Sequence, residues 1–289
     1  MIPAEFDYVR PVDLDETLRI LREREGDAKL ISGGYSLLPL LKLRLAQPGL
    51  LVDLGAVGGL DAITETGDQL RIGGRATHRA IAEDPTIVAG YPLLVEAASG
   101  IGDPQVRNWG TIGGSVAHAD PSSDWPAVLL ATHASIVLRS ADAERVVPAR
   151  GFFIDSFQTG IEPTEVLTEV RIPRTFERSA GAYRKLERRA GDFATVGVAV
   201  KLKLDGDAIG SAGIGVTAVA PAPYAATDAE ALLAGQPPSE ELYRRAGEAA
   251  AAMSQPAADG HGPVAYKRAM VAEITVRALR AAVDRARTA

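Results

Sequence analysis

Two glycine doublets set among small hydroxyl side chains constrain this chain more than any other feature: Ser32-Gly33-Gly34-Tyr35-Ser36 and Thr111-Ile112-Gly113-Gly114-Ser115. Adjacent glycines let a loop take positive φ and let backbone N–H groups approach a ligand with no Cβ in the way. Two such loops, about 80 residues apart, are able to grip one diphosphate from both sides through backbone nests. Either loop alone reads more readily as a tight turn. The surrounding residues decide between the two.

Composition removes several classes. At 289 residues the chain predicts two or three subdomains rather than one core. A net charge of −6 argues against nucleic-acid binding. No basic-then-apolar leader and no apolar run of about 18 residues occurs, so a cytoplasmic protein is expected. With Cys at 0 there is no disulfide, no thiolate nucleophile and no conventional iron–sulfur cluster. His78, His118, His133 and His261 lack metal-ligand spacing and read as ordinary polar or half-buried side chains. Walker A, G-x-S-x-G and H-E-x-x-H strings are missing too. Redox work, if any, falls to an organic cofactor.

Along the chain, Asp13 and Glu16 stand at capping-box spacing before Leu14, Leu18 and Leu21, a helix that Gly26 stops. Ala28 to Ile31 reads as a buried strand feeding the first doublet, Leu37 to Leu45 as a helix, and Leu50 to Leu54 as a second strand. The doublet lacks G-x-G-x-x-G spacing, which argues against a Rossmann unit. Gly67-Asp68 joins a hairpin of Ile63 to Thr66 and Gln69 to Gly73. Helices are predicted over Thr77 to Ala82 and Tyr91 to Ser99, then one long loop from Gly100 to Pro126. A short helix, Trp125 to Ala131, precedes paired strands Ala134 to Arg139 and Arg145 to Pro148, and a strand Glu165 to Ile172. Three consecutive strands follow, Tyr183 to Arg188, Thr195 to Leu204 and Ala208 to Val219. Helices Asp228 to Leu233, Glu240 to Met253 and Tyr266 to Arg285 finish the chain.

A flavin adenine dinucleotide needs donors for its diphosphate, a polar pocket for its adenosine and apolar walls for its ring. Gly33, Gly34, Tyr35 and Ser36 offer consecutive N–H groups and a hydroxyl, with the Leu37 helix end nearby. Thr111, Gly113, Gly114 and Ser115 offer the same from the other side. Lys29 adds a charge or is simply solvated. Asp124 is able to accept a ribose hydroxyl with help from Ser123, or to cap the helix that follows. Lys185 and Phe193, taken alone, read as a strand lysine and a core aromatic.

Three strings carry a family resemblance: KLISGGYSLLPLLKLRLAQP from Lys29 to Pro48, QVRNWGTIGGSVAHADPSSDWP from Gln105 to Pro126, and YRKLERRAGDFATVGVA from Tyr183 to Ala199. They resemble, in order, both flavin loops and the C-terminal domain of the medium, FAD-binding subunits of molybdenum hydroxylases. That group includes aerobic carbon monoxide dehydrogenase and bacterial relatives of xanthine dehydrogenase. The resemblance implies an α+β fold: a two-part FAD-binding region of the vanillyl-alcohol-oxidase-like (PCMH) type, residues 1–56 and 57–176, then a smaller α+β domain, residues 177–289, with a three-stranded antiparallel sheet and helices. It places Lys29, Ile31, Ser32, Gly33, Gly34, Tyr35, Ser36 and Leu37 at the first diphosphate loop. Ile101, Gly102, Val106, Gly110, Thr111, Gly113, Gly114, Ser115 and Ala117 fall at the second, and Ser123 and Asp124 on the adenosine side. Val166 and Leu167 match positions beside the flavin, and Lys185 a lysine near its ring. Phe193 stands where several relatives have a tyrosine that covers the ring. Tyr35 replaces a frequent histidine, and Ser115 a common aspartate or asparagine.

The resemblance further implies an oxidoreductase subunit with no catalytic residue or metal of its own. Its FAD is held non-covalently, since Cys is absent and Tyr35 occupies the position at which related oxidases carry a flavin-linked histidine. A large molybdopterin-binding partner and a small one with two [2Fe–2S] clusters are implied, as a dimer of heterotrimers, with quinone or NAD⁺ as electron acceptor. Two other readings stay open at this point: a stand-alone FAD oxidase or reductase of the same fold, and a scaffold subunit without cofactor.

Overall fold

The structure, a computed structural model, describes residues 2–174 and 179–289. The chain opens with β1 (Asp7–Val9), α1 (Leu14–Glu23), β2 (Ala28–Ile31), α2 (Leu37–Lys42) and β3 (Leu50–Asp53), forming a parallel sheet of order β1-β3-β2. Helix α1 starts where the spacing predicts. Asp13 accepts the Glu16 N–H and Glu16 reaches back to the Val12 N–H, so two end donors are satisfied reciprocally. Its Leu18, Ile20 and Leu21 are buried. Strand β2 is half-exposed rather than buried, because it forms an edge of this sheet. Strand β1 has too short a pattern to read from sequence and exists through its pairing with β3. Helix α2 ends at Lys42, short of Leu45, and the chain reverses at Arg44, φ +59°.

The middle of the chain holds β4 (Ile63–Thr66), β5 (Gln69–Gly73), α3 (His78–Glu83), α4 (Pro85–Gly90) and α5 (Pro92–Ser99). Next come α6 (Pro104–Trp109), α7 (Ile112–His118), α8 (Asp124–Ala131), β6 (Ser135–Arg139), β7 (Glu144–Pro148), β8 (Phe153–Asp155), β9 (Gln158–Thr159) and β10 (Val166–Pro173). Five of these strands form an antiparallel sheet of order β4-β5-β10-β6-β7. The long loop expected from Gly100 to Pro126 is not there. It contains α6 and α7 and the start of α8. Asp103 caps α6 ahead of Pro104, and Thr111 caps α7 by accepting the Gly114 N–H at 3.1 Å. Both helices are too short to display an apolar period, which is why the segment reads as a loop in the sequence.

The C-terminal part is β11 (Ser179–Leu186), β12 (Val196–Asp205), β13 (Ala208–Thr217), β14 (Tyr224–Ala225), α9 (Thr227–Leu233), α10 (Glu240–Ala252) and α11 (Val264–Thr288). Its antiparallel sheet runs β11-β12-β13-β14, one short strand more than the three expected. Strand β11 begins and ends earlier than the expected Tyr183 to Arg188, since its register pairs Ser179 with Lys203 and Leu186 with Val196. The boundary expected between residues 176 and 177 lies outside the described residues.

Alternation along β12 and β13 builds two interfaces. Val196, Val198, Val200, Ile214 and Val216 join a core with Leu279 and Val283 of α11. The opposite face receives α8, all of whose residues are buried. There the sheet carries glycine: a Cβ at Gly213 would stand 2.1 Å from the Ala131 carbonyl oxygen, and one at Gly215 would stand 1.9 Å from that of Ala127. Only a strand without side chains at these points admits the helix backbone so closely. Gly215→Val should therefore destabilise the protein by about 3 kcal/mol or more through overpacking, whereas Ser211→Val on the exposed part of β13 should change stability by less than about 0.5 kcal/mol. Urea unfolding of both variants checks this.

Candidate cofactor site

The first doublet lies between β2 and α2, in the chain reversal from strand to helix. Gly34 sits at φ +80°, the left-handed region that glycine occupies without penalty. Among the described residues, the N–H groups of Gly33, Gly34, Tyr35 and Ser36 have no acceptor, and Ser36 makes no side-chain cap to α2. Consecutive free amides in such a turn form an anion-binding concavity. The donor chemistry suits a diphosphate.

The second doublet is built differently from the expectation. Its amides are already paired: Ile112 N–H to Ala76 O, Gly113 N–H to Gly74 O, Gly114 N–H to Thr111 Oγ1 and Ser115 N–H to Thr111 O. Gly113 is a spacer, since a Cβ there would meet Gly74 O at 2.5 Å. What this segment turns outward is the side of α7 carrying Gly114 and Ala117, both exposed, with Ser115 half-buried. The two loops nonetheless form one wall. Thr111 Oγ1 donates to Ser32 Oγ at 3.2 Å, and a Cβ on Gly33 would collide with Trp109 O at 2.1 Å.

From that wall a chain of polar contacts leads into the C-terminal sheet. Ser115 Oγ and Ser123 Oγ share a hydrogen bond of 2.7 Å, and Thr217 of β13 donates to the carbonyls of Pro121 and Ser123. Asp124, nearly sealed at the start of α8, accepts from Tyr183 Oη at 2.5 Å and from Lys185 Nζ at 3.3 Å. Lys185 also donates to Gly100 O at 3.1 Å and pairs with Glu187 at 3.3 Å. Burial pushes the Asp124 carboxyl above its ordinary pKa, against the pull of Lys185. Burial and then Asp124 push the Tyr183 phenol well above its own. Behind them Glu96 of α5 binds the Tyr183 N–H at 2.8 Å, Arg184 at 2.9 Å and Arg285 of α11 at 2.5 Å. Burial alone would raise Glu96, but Arg285, the Tyr183 amide and Arg184 hold it below its ordinary value.

Not every expected residue joins this wall. Val166 is fully buried with Leu18, Leu21, Leu54 and Val57, so its side chain belongs to a core. Leu167 lies behind Gly74, which its carbonyl touches. Ile31, half-buried at the end of β2, lies against Gly34, and Leu37 opens α2. Lys29 is exposed on β2, where its charge depresses His118 after burial has done so. Ile101 and Gly102 sit under the turn after β11, whose Gly191 packs against Gly102 O. Val106 closes on Gly102 from α6. Phe193 is 57% exposed. Tyr183, Glu96 and Glu187 were not singled out from sequence, because no spacing links α5, α8 and β11.

Gly110 packs on His78, whose Nδ1 accepts from Trp125 Nε1 at 3.0 Å. Burial, then Arg107, push this imidazole down to about 4. The unfolded chain takes up a proton below about 6.5 that the folded chain refuses. Stability from His78 is thus complete above pH 6.5 and is lost as pH falls toward about 4, by roughly 3 kcal/mol. Urea unfolding between pH 7 and pH 4 should show a shallower loss in His78→Gln than in the unmodified chain.

Comparison with known proteins agrees with this geometry. Residues 4–175 match the model of the FAD binding domain in molybdopterin dehydrogenase, and residues 181–282 that of the CO dehydrogenase flavoprotein C-terminal domain. The carbon monoxide dehydrogenase medium chain of Hydrogenophaga pseudoflava is 40% identical over 98% of both chains. That of Afipia carboxidovorans is 38% identical, covering 99% of this chain and 100% of its own. In solved structures, a chain of carbon monoxide dehydrogenase from Hydrogenophaga pseudoflava superposes with a TM-score of 0.97 at 42% identity, covering 99% of each chain. A chain of quinoline 2-oxidoreductase from Pseudomonas putida 86 reaches 0.93 at 33%, again over 99% of each. With both domain models in order along the chain and full-length likeness to such subunits, this protein belongs to the family of medium, FAD-binding subunits of carbon monoxide dehydrogenase and xanthine-type molybdenum hydroxylases.

Proposed function

We propose that this chain carries electrons within a heteromeric molybdenum hydroxylase, receiving them from iron–sulfur clusters of a small partner and passing them to an external acceptor, a quinone or NAD⁺. A large molybdopterin-binding partner performs the hydroxylation, and the assembly is a dimer of heterotrimers in the cytoplasm. FAD supplies two-electron and one-electron redox chemistry when bound, which no side chain here is able to replace. The observation that carries this reading is the run of free amides from Gly33 to Ser36 within the FAD binding domain match. Those amides and the Ser36 hydroxyl hold the diphosphate, Ser115 and Ser123 bear on the adenosine side, and Lys185 serves the ring together with Asp124, whose ion pair with it at 3.3 Å sets it there rather than on the adenosine side that the resemblance implies. Phe193, exposed, stands where relatives' tyrosine covers the ring and offers no hydroxyl there. The set of free backbone donors, with no nucleophilic thiol in the chain, supports a non-covalent cofactor.

Two measurements test this. Acid precipitation of the purified yellow protein should release all colour to the supernatant as FAD, whereas flavin retained in the pellet would contradict non-covalent binding. Co-expression with the large and small companions should yield one species on size-exclusion chromatography containing molybdenum and iron, and metal-free fractions would count against the assembly. The donor nest has its own test. In Gly34→Val the branched side chain disfavours φ +80°, the turn flips and its amides point elsewhere. Loss of two charge-assisted hydrogen bonds, about 1.5–3 kcal/mol each, should weaken FAD binding by two to four orders of magnitude. The far-ultraviolet circular dichroism should stay near that of the unmodified chain.

A further inference from the structure

Lys185 Nζ stands among three acceptors, Gly100 O at 3.1 Å, Asp124 at 3.3 Å and Glu187 at 3.3 Å. An ammonium has three hydrogens, so this cation is shared between two carboxylates. The Glu187 oxygen facing it is buried and makes no hydrogen bond of good geometry. Among the described residues, Asp124 has one other side-chain donor, the Tyr183 hydroxyl, on the oxygen that Lys185 leaves free. That hydroxyl has a prepared place: a Cβ on Gly197 of the neighbouring strand would meet it at 2.5 Å. The Tyr183 backbone is fixed as well, through its N–H to Glu96 and from there to Arg285.

We propose that Tyr183 is a positioning residue: its hydroxyl holds the Asp124 carboxylate, and so sets how much of the Lys185 positive charge reaches the cofactor site. This rests on the FAD reading above. Electrons added to a cofactor make it more negative, so a nearby positive charge favours reduction. Without the hydroxyl, the positive end of its O–H dipole is withdrawn from Asp124. The ionised carboxylate then offsets more of the lysine, and reduction becomes harder. Removing the carboxylate's charge has the opposite sign.

The test uses the full chain loaded with FAD, with spectroelectrochemical titration of the bound flavin at pH 8.5 to keep Asp124 ionised. Tyr183→Phe keeps the ring and its packing and should bind FAD stoichiometrically. Its oxidised-to-reduced equilibrium should move about tenfold toward oxidised, some 30 mV lower for a two-electron couple. Asp124→Asn should move it about tenfold the other way. A general loosening of the pocket would shift both variants in the same direction and would overturn the proposal, as would an unchanged potential in Tyr183→Phe. Should Tyr183→Phe fail to fold, Asp124→Asn decides, and an unchanged or lowered potential there rejects it. An unmodified chain that binds no FAD refutes the cofactor reading itself, a result separate from all of these.

Discussion

Helix α8 is sealed on every side, and both the fold and the site depend on that. Its backbone lies against Gly213 and Gly215 of the C-terminal sheet, while Trp125, Val128 and Leu129 belong to the core above the five-stranded sheet. A helix so placed admits no unsatisfied polar group along its length, yet its first turn carries a carboxylate. Asp124 is tolerated because Tyr183 and Lys185 meet it from β11. The packing constraint and the electrostatics of the site are thus one problem, solved by one sheet, β13 supplying the glycines and β11 the partners of the carboxylate.

Two charge clamps hold the same junction. Glu96 joins α5 to Arg184 and Arg285, and Arg150 binds Glu230 of α9 through two contacts, 2.9 Å and 2.5 Å. Glu230 also accepts the Ile214 N–H of β13 at 2.7 Å, so its charge is satisfied from both sides. Paired charges of this kind contribute less to net stability than to uniqueness. Removing one partner strands the other in a half-buried place, which is why misdocked arrangements are unfavourable. The clamps tie residues 4–175 to residues 181–282, the two regions matched by the domain models.

The glycine doublets show how one motif serves two physical ends. In the first, positive φ at Gly34 leaves a run of amides free for an anion. In the second, the amides are consumed within the chain, and glycine provides close approach to Gly74 instead. The functional asymmetry lies in hydrogen bonding, not in composition.

Much of this was legible in the sequence. The capping residue Asp13, the Gly67-Asp68 hairpin, the long strands β12 and β13, and the three family strings each act over a few residues, so local physics suffices to read them. The absence of cysteine likewise determined that no thiolate chemistry resides here. Helices α6 and α7, the brief β1 and the core position of Val166 were illegible, because short segments acquire their state from what they pack on. The same holds for the Glu96–Tyr183–Asp124–Lys185 chain, whose members come from α5, β11 and α8. Sequence alone determined the cofactor class and the two glycine doublets, since those depend on neighbouring residues. Only the tertiary structure decided which amides stay free and which charges meet, since both follow from contacts between segments far apart in the chain.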